Sequence, residues 1–521
     1  MIIERDWIYL DCTPQQAKKL DAVWVKSRGK YRLPNTLGAL RELKDLGFDV
    51  ASVIYKKSKA REMLLDKKNS VLCPGYDERL RKYQRQDIFY LQKVAHPAIF
   101  NEPRTGKTPT TLKLIESMAF GDVKVVIICP ASLVLNWDKE VRTWTDYPVI
   151  SVSGTKKKRE KIYNAWNSNK GCLVLSKDTA KVDYDLIDTT DCVLVVDEAH
   201  FLRNHRTAQS KAIFHLGKKA SKRIALTGTP ATNHPKDIWG ILHFLYDNKF
   251  PSYWQFIDRY FKTWDSPWGS REVGKLKREQ EFTEILELIS VQRKRKDIMK
   301  WIPKKQYQTI ELEMDKKQRK AYDEMLTMFT VEEAGVDAPS LLAQITRLRQ
   351  ICLAPEVLGI QAPSAKEKFI MEWLDDNPNT PVVIFSNFSS YLVRLARTIK
   401  DKRTLGLIIG ETSKTTRQDV VEGFQSGRVK IILANIEAAG TGLTLDRAGT
   451  VIFLDRHYNP AFNEQAEDRI VPTTEDSNLN TLVIDLVCND SIDEHINKIL
   501  NKKQSIIEVI NNYNNIGDLF K

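Results

Sequence analysis

The stretch Val193-Leu-Val-Val-Asp-Glu-Ala-His200 decides the fold of this chain. Its consecutive apolar residues predict a strand that is buried on both faces, which is typical of a parallel sheet covered by helices. Two adjacent carboxylates, Asp197 and Glu198, follow at the end of this strand. Because successive strand residues point to opposite sides, these carboxylates can serve separate tasks. A lone Asp-Glu pair can also be a solvated strand end, so other motifs have to decide its meaning.

The second motif, Asn101-Glu-Pro-Arg-Thr-Gly-Lys-Thr108, lies upstream and precedes a helical pattern. Gly106 would let backbone N–H groups approach phosphate oxygens, Lys107 would place a positive charge on them, and Thr108 would ligate Mg²⁺. Asn101 stands where the phosphate-binding pattern has its first glycine. The tripeptide alone would therefore be a weak signal, and its order relative to the carboxylates gives it weight.

Together the two motifs predict phosphoryl transfer from a nucleoside triphosphate. Asp197 would hold the Mg²⁺ ion, because carboxylate oxygens are ligands that this ion prefers. Glu198 would polarise the attacking water as a general base.

Further apolar runs of strand length occur in two series. Each run is followed by polar residues or by Gly and Pro, and then by a helical stretch. This alternation predicts two α/β lobes with parallel sheets. A charged, helical region at residues 237–354 separates the series, and Trp264 to Arg271 is expected to be a loop. The runs start at Val123, Cys172, Cys192 and Arg223 in the first series and at Val382, Gly406, Val429, Val451 and Leu482 in the second.

The composition of the chain favours some classes of protein and excludes others. The chain has 521 residues, with 80 Lys and Arg against 67 Asp and Glu, which gives a net charge of +13. Such an excess favours a polyanionic partner but also fits an ordinary basic enzyme. The 7 cysteines form no CxxC pair, which excludes a zinc ribbon and favours a reducing compartment. The absence of a long apolar run or secretory signal predicts a protein of the cytoplasm without membrane spans.

The motifs follow one another in the order found in helicase superfamily 2. The chain resembles its Swi/Snf-type branch over residues 78–510, and its layout is closest to compact annealing helicases that remodel forks, of bacterial or phage type. The motifs are Leu80-Arg-Lys-Tyr-Gln84, the GKT at 106–108, Cys129-Pro-Ala-Ser-Leu-Val-Leu-Asn-Trp137, the DEAH at 197–200, Leu226-Thr-Gly-Thr-Pro230, Thr346-Arg-Leu-Arg-Gln-Ile-Cys352, Ile384-Phe-Ser-Asn-Phe388, Ala438-Ala-Gly-Thr-Gly-Leu-Thr-Leu445, Tyr458-Asn-Pro460 and Gln465-Ala-Glu-Asp-Arg469.

The resemblance implies two RecA-like doubly wound parallel-sheet lobes of the α/β class, with a small N-terminal α+β domain and a helical connector. The expected boundaries are 1–75 for the N-terminal domain, 76–305 for the first lobe with its connector, 306–495 for the second lobe, and 496–521 for a C-terminal helical extension.

The resemblance also implies ATP and Mg²⁺ as cofactors. It assigns catalysis to Lys107, Asp197, Glu198, Gln465 and Arg469, with Arg469 stabilising the transferred phosphoryl group. Nucleotide contacts would come from Gln84, which would read adenine, and from Thr105, Gly106, Lys107, Thr108, Gly440 and Gly442. Metal ligands would be Thr108 and Asp197. Thr227 and Thr229 would couple the nucleotide site to DNA movement.

One position departs from the branch pattern. Relatives usually carry a second arginine three residues after the first, where this chain has Pro472. Either Arg469 suffices, or another cation such as Arg456 substitutes, or hydrolysis is slow. A surface ion pair is the favoured alternative for Arg456.

Two sets of residues are expected to contact DNA. Ser132, Asn136, Asn387, Asn435 and Thr441 would touch the phosphate backbone, although turn capping is an equal alternative for the four outside the glycine-rich motif. On a predicted N-terminal hairpin, Trp24 could stack on an unpaired base while Arg28 and Lys30 follow phosphates. A hairpin with core aromatic residues and a solvated basic edge is the alternative.

The expected activity is ATP-driven translocation on double-stranded DNA that remodels branched DNA by branch migration, fork regression or strand annealing. Replication or recombination proteins would be its partners. A conventional strand-separating helicase and a nucleotide-gated DNA clamp with slow turnover are the alternatives.

Overall fold

We describe the protein from a computed structural model. The residues described are 1–68, 77–118, 123–167, 170–230, 234–266, 271–301, 304–400, 404–439, 443–472 and 481–501. The chain divides into two compact units, Met1–Ile298 and Met299–Lys521. Most of the C-terminal extension expected at 496–521 lies outside the described residues.

A four-stranded antiparallel sheet and three helices form the N-terminal domain. The strand order is β1-β2-β4-β3, and the helices cover one core of aliphatic side chains. The predicted hairpin is present, with Val25 opposite Lys30. The bounds are β1 (Ile2–Ile3), β2 (Trp7–Leu10), α1 (Pro14–Leu20), β3 (Val23–Val25), β4 (Lys30–Pro34), α2 (Leu37–Asp45) and α3 (Ala51–Lys68).

The rest of the first unit is built on a seven-stranded parallel sheet in the order β13-β5-β10-β9-β6-β8-β7. Its strands, with an additional antiparallel pair β11 and β12, are β5 (Ala98–Ile99), β6 (Lys124–Cys129), β7 (Val149–Ser151), β8 (Gly171–Ser176), β9 (Val193–Val196), β10 (Lys222–Leu226), β11 (Phe261–Asp265), β12 (Arg271–Leu276) and β13 (Ser290–Val291). The helices are α4 (Lys82–Leu91), α5 (Lys107–Met118), α6 (Val134–Trp144), α7 (Lys156–Asn167), α8 (Lys177–Asp183), α9 (Ala208–Lys219), α10 (Trp239–Leu245), α11 (Tyr253–Tyr260), α12 (Glu279–Ile289) and α13 (Arg295–Ile298).

Helices cover both faces of this sheet, as the doubly wound class requires. Along β6, Val126 and Ile128 belong to one core, whereas Val125 and Ile127 belong to a second core on the opposite face. All four side chains are fully buried. The continuous apolar run in the sequence thus reflects a strand that is buried on both sides.

The second unit contains a six-stranded parallel sheet in the order β14-β21-β20-β17-β19-β18. Its strands are β14 (Gln306–Leu312), β15 (Thr330–Val331), β16 (Val336–Asp337), β17 (Val382–Ser386), β18 (Leu405–Ile408), β19 (Ile431–Asn435), β20 (Thr450–Phe453) and β21 (Leu482–Cys488). Its helices are α14 (Lys316–Met328), α15 (Leu341–Leu353), α16 (Ala365–Asp376), α17 (Ser389–Lys400), α18 (Lys414–Ser426), α19 (Ile436–Ala439), α20 (Pro460–Glu467) and α21 (Ile492–Asn501).

These two parallel-sheet lobes and the small N-terminal domain confirm the predicted fold class. The expected loop from Trp264 to Arg271 is wrong in part, because Trp264 lies in β11 and Arg271 begins β12. Most residues of these short strands are exposed or half-buried, so the sequence carries no buried apolar run that would predict them. Among the described residues, none of the helices combines the length and the apolar character that crossing a bilayer requires.

Candidate active site

The backbone of the candidate phosphate-binding loop, residues 101–108, has two residues in the left-handed region. Arg104 has a φ of +65° and Gly106 a φ of +74°. A Cβ atom on Gly106 would lie 2.4 Å from Nε2 of Gln84. The positive φ favours glycine at this position, and any other side chain would have to displace the Gln84 amide.

Side chains of α4 hold the loop through hydrogen bonds to its carbonyl oxygens. The Gln84 amide donates to the Gly106 carbonyl oxygen (3.1 Å) and accepts from the Arg81 backbone N–H (2.7 Å). The Tyr83 hydroxyl donates to the Thr105 carbonyl oxygen (2.7 Å). Gln84 was expected to contact adenine, and the structure places its side-chain amide against the phosphate loop. Its contact with a base stays a prediction.

Helix α5 begins at Lys107, directly after the loop. The Lys107 ammonium group donates to the carbonyl oxygens of Asn101 (3.0 Å) and Glu102 (3.3 Å). Thr108, the candidate metal ligand, follows in the first turn and is half-buried. The N-terminus of a helix with free N–H groups favours negative charge, and a lysine beside it strengthens this preference.

A buried polar network holds the other end of the loop, and the sequence analysis did not find it. Asp87 is fully buried. It accepts hydrogen bonds from Asn101 Nδ2 (3.0 Å) and from Arg293 Nε (2.9 Å). Asn101 thus has a structural role where the pattern expects glycine. The sequence does not predict that Arg293 pairs with Asp87, because the two residues lie far apart along the chain.

The Asp197 carboxylate lies at the end of β9 and is almost fully buried. One oxygen accepts from the Trp137 indole N–H (2.9 Å), and the other accepts from the Glu198 backbone N–H (2.9 Å). Burial, reinforced by the charge of Glu198, raises the pKa of Asp197 to about 6, although the Trp137 bond and the Lys107 charge oppose the shift. Lys107 and Asp197 therefore share one electrostatic environment.

Glu198 takes the left-handed conformation, with a φ of +51°. Its Oε2 lies 3.2 Å from His200 Nδ1, which also lies 3.2 Å from the Thr227 hydroxyl. That hydroxyl in turn accepts from the backbone N–H of Thr229 (3.1 Å). His200 thus connects the second carboxylate to the two threonines that were expected to couple ATP to movement. No local sequence pattern assigns His200 a role apart from its place in the DEAH motif.

The residues present fit ATP and Mg²⁺. Thr108 and Asp197 offer oxygen atoms, which are the donors that Mg²⁺ prefers. Lys107 and the start of α5 offer N–H donors for phosphate oxygens. Indole and backbone bonds fix both oxygens of Asp197 in orientation, as supporting bonds do for ligating carboxylates.

The expected catalytic residues of the second unit lie on and after α20. Gln465 is half-buried on this helix, and Arg469 follows it, with its guanidinium 3.4 Å from the Leu443 carbonyl oxygen. Gly440, Thr441 and Gly442 lie outside the described residues. The catalytic roles of Gln465 and Arg469 stay predictions.

Arg456, considered as a substitute for the missing second arginine, is engaged in two ion pairs. Its guanidinium meets Asp485 (2.5 Å) and Glu467 (2.6 Å), and it packs 3.7 Å from the Phe453 ring centroid. The arginine is nearly buried, so this arrangement is a buried network. The ion-pair alternative agrees with these contacts, but the pairs are nearly buried and do not lie at the surface, as that alternative expected.

The residues expected to contact the DNA backbone differ in their surroundings. Asn387 donates to Asp455 (2.6 Å), and Asn435 donates to the Asn387 carbonyl oxygen (2.8 Å) while accepting from backbone N–H groups of α19. Both side chains thus stabilise turns, the alternative named for them. Ser132 is half-buried and Asn136 is exposed at the start of α6. DNA contact by these residues stays a prediction.

On the N-terminal hairpin, Trp24 is 53% exposed and lies edge-on to Tyr31 at 4.9 Å. Arg28 pairs with Glu4 (2.5 Å), and Lys30 pairs with Asp11. Both ion pairs lie at the surface, where they are weak and exchange readily with other anions. The hairpin presents an accessible indole with basic groups beside it.

Two models of known protein families match the chain. The helicase conserved C-terminal domain matches residues 365–471, so the chain has the architecture of a helicase-like ATPase. The SNF2-related domain matches residues 60–357, more than half of the chain. The chain belongs to this SNF2-related family.

Several curated proteins are similar over most of the chain. An uncharacterized ATP-dependent helicase of Mycoplasma genitalium is 24% identical, with 82% of this chain and 42% of the relative covered. The SWI/SNF-related matrix-associated actin-dependent regulator of chromatin subfamily A-like protein 1 homolog of Caenorhabditis elegans is 26% identical, with 84% and 62% covered. The human DNA annealing helicase and endonuclease ZRANB3 is 24% identical, with 82% and 40% covered.

This chain thus spans 40% to 62% of the length of these relatives. Among solved structures, the Sulfolobus solfataricus SWI2/SNF2 ATPase core in complex with dsDNA is 24% identical, with a TM-score of 0.41 and with 84% of this chain and 94% of that chain covered.

Proposed function

We propose that the chain hydrolyses ATP at the carboxyl end of β9. The observation that carries this proposal is that both oxygens of Asp197 are fixed, by Trp137 and by the backbone of Glu198, while Lys107 begins α5 directly after the glycine loop. Lys107 and the start of α5 would bind phosphate oxygens. Thr108 and Asp197 would hold Mg²⁺, which neutralises charge on the phosphates. Glu198, held by His200, would orient the attacking water.

We further propose that hydrolysis drives translocation on double-stranded DNA and that the motor remodels branched DNA. The family membership, the net charge of +13 and the exposed Trp24 support this proposal. The name of one relative, DNA annealing helicase and endonuclease, agrees with it. Lysine and arginine would supply affinity that depends on salt and little on base sequence.

ATP hydrolysis measured with single-stranded, duplex, forked and four-way DNA tests the proposal. We expect strong stimulation by duplex and stronger stimulation by forks and junctions, and none in Glu198→Gln. Stimulation by single strands alone would favour a conventional strand-separating helicase.

The N-terminal hairpin provides a sharper test of branch recognition. Trp24→Ala should reduce stimulation by forks more than stimulation by duplex, because only unpaired bases offer faces for stacking. Tyr55→Ala changes another exposed aromatic side chain of the N-terminal domain (67%) and serves as a comparison outside this hairpin. Equal losses on fork and duplex DNA in Trp24→Ala would contradict recognition of branches by Trp24.

A nucleotide-gated clamp with slow turnover is the second candidate. Pro472 stands at the position of the second arginine, and Arg456 is engaged by Asp485 and Glu467. ATPase rates with saturating duplex separate the two candidates. A clamp would bind DNA in response to ATP but would show little DNA-stimulated turnover.

A further inference from the structure

A surface groove of about 650 Å³ lies between the N-terminal domain and the connector hairpin, which we define as β11 with β12. One wall comes from α1 and the start of β3. The other comes from α11 and the connector hairpin. Both walls belong to the first unit, Met1–Ile298. None of the sequence motifs discussed above assigns a role to this groove.

Ion pairs fix the two walls relative to each other. Arg259, which is 3% exposed, donates to the Leu20 carbonyl oxygen (2.8 Å) and pairs with Glu281 (2.6 Å). Glu281 in turn accepts from the Thr36 hydroxyl (2.8 Å). Near the groove itself, Lys277 pairs with Asp21 (2.7 Å). Buried, charge-assisted bonds of this kind hold a defined geometry, so the groove exists before any ligand binds.

The lining carries excess positive charge. Four cations, namely Lys18, Lys262, Arg271 and Lys277, face two carboxylates, Asp21 and Asp258. Arg271 pairs with Asp258, and Lys277 pairs with Asp21. Within the described part of the chain, Lys18 and Lys262 are exposed and form no ion pair. Their ammonium groups are therefore available to an anionic ligand.

An exposed aromatic residue stands beside this charge. Trp264, on the connector hairpin, is 52% exposed and lies two residues after the exposed lining residue Lys262, which places both side chains on the same face of β11. Arg271 lies 5.1 Å from the ring centroid of Trp254. Lysines for phosphates beside indoles for bases are the features of sequence-independent single-strand sites, whereas a duplex buries its base faces.

We propose that this groove binds an unpaired DNA strand, with Lys18 and Lys262 on its phosphates and Trp264 against its bases. The inference rests on the proposed DNA motor and gives it a site for the single-stranded arm of a branched substrate. The connector hairpin and the N-terminal domain then form one recognition surface, instead of the N-terminal hairpin acting alone.

Titration of the full chain with a fluorescein-labelled oligothymidylate, followed by anisotropy at several salt concentrations, tests the groove. The double variant Lys18→Ala/Lys262→Ala should bind the strand more weakly. The slope of log affinity against log salt should fall by about 1.4, which is twice the value of about 0.7 for one single-strand phosphate contact. Trp264→Ala should weaken binding about tenfold with little change in this slope.

The matched control is Lys56→Ala/Lys59→Ala, which removes two exposed lysines of α3 that do not line the groove. It should keep the wild-type slope. Equal slopes and affinities in the groove variant and the wild type would overturn the proposal. That failure is distinct from failure of the motor, which would appear as absent DNA-stimulated ATPase in the wild-type chain.

Discussion

At the scale of single residues, the indole of Trp137 most directly orients Asp197, the proposed metal ligand. It is 1% exposed and donates to one carboxylate oxygen of Asp197, leaving the acid buried but oriented. A buried carboxylate without such donors would favour its protonated form.

Replacing this donor tests its role. Trp137→Phe keeps the packing but removes the N–H, and we expect the Mg²⁺ concentration for half-maximal ATPase to rise about tenfold. Trp144→Phe, on the same helix two turns further on, is the control. An unchanged Mg²⁺ midpoint in Trp137→Phe would show that the indole only fills space.

Lys107 and Glu198 should separate binding from chemistry. Both Lys107→Ala and Glu198→Gln should abolish ATP hydrolysis. Only Lys107→Ala should greatly weaken nucleotide binding, because Glu198 acts on the water and not on the ground-state phosphates. Fluorescent ATP binding and phosphate release measure the two effects. Hydrolysis at the wild-type rate in Glu198→Gln would contradict the assignment of the base.

For single residues, the sequence predicts which side chains belong to the candidate site better than it predicts which residues they contact. The positions of Lys107, Asp197 and Glu198 follow from local motifs. The contact of His200 with Thr227 and the bond between Asn101 and Asp87 depend on tertiary packing, so no local pattern encodes them.

At the scale of elements, the phosphate loop depends on β13 at the edge of the sheet. Arg293, which follows β13, neutralises the buried Asp87 beneath the loop. Arg293→Ala would leave this carboxylate buried without its cation, and we expect a loss of about 3 kcal/mol in the free energy of unfolding. Urea titration measures it. The exposed neighbour Lys294→Ala is the control, and equal stabilities of the two variants would contradict the role of Arg293.

His96, just before β5, predicts a pH dependence of stability. Burial, aided by the charge of Arg223, lowers the pKa of His96 from 6.5 to about 4. The unfolded chain therefore takes up a proton first as the pH falls. Stability is full above pH 6.5 and is lost between about 6.5 and 4, by about 2 kcal/mol after allowance for partial exposure.

Thermal unfolding across this pH range tests the role of His96. His96→Gln keeps a polar amide against the Arg223 backbone but cannot titrate, so its stability should vary less with pH than that of the wild type. Identical profiles would assign the acid sensitivity to other groups.

Strands with continuous apolar runs could be predicted from the sequence, whereas polar, exposed strands could not. The runs that begin at Cys192 and Val382 form buried parallel strands, as expected. β14 was missed because its residues are mostly polar and exposed, as befits a strand at a sheet edge. The connector hairpin was missed for a similar reason, since Lys262 and Trp264 on β11 are exposed.

At the scale of the whole molecule, the N-terminal domain is part of the first unit. The bonds from Arg259 to Leu20 and from Thr36 to Glu281 tie it to the connector. Deleting the domain would expose Arg259 and Glu281, so point variants on its surface test DNA recognition more cleanly than truncation does.

Triplex displacement tests the central claim of ATP-driven translocation on duplex DNA most directly. A third strand bound to a linear duplex should be released when ATP and the wild-type protein are present, while the two strands of the duplex stay paired. Glu198→Gln should bind DNA without releasing the third strand. ATP hydrolysis by the wild-type protein without displacement would contradict translocation, and separation of the duplex itself would identify a conventional helicase.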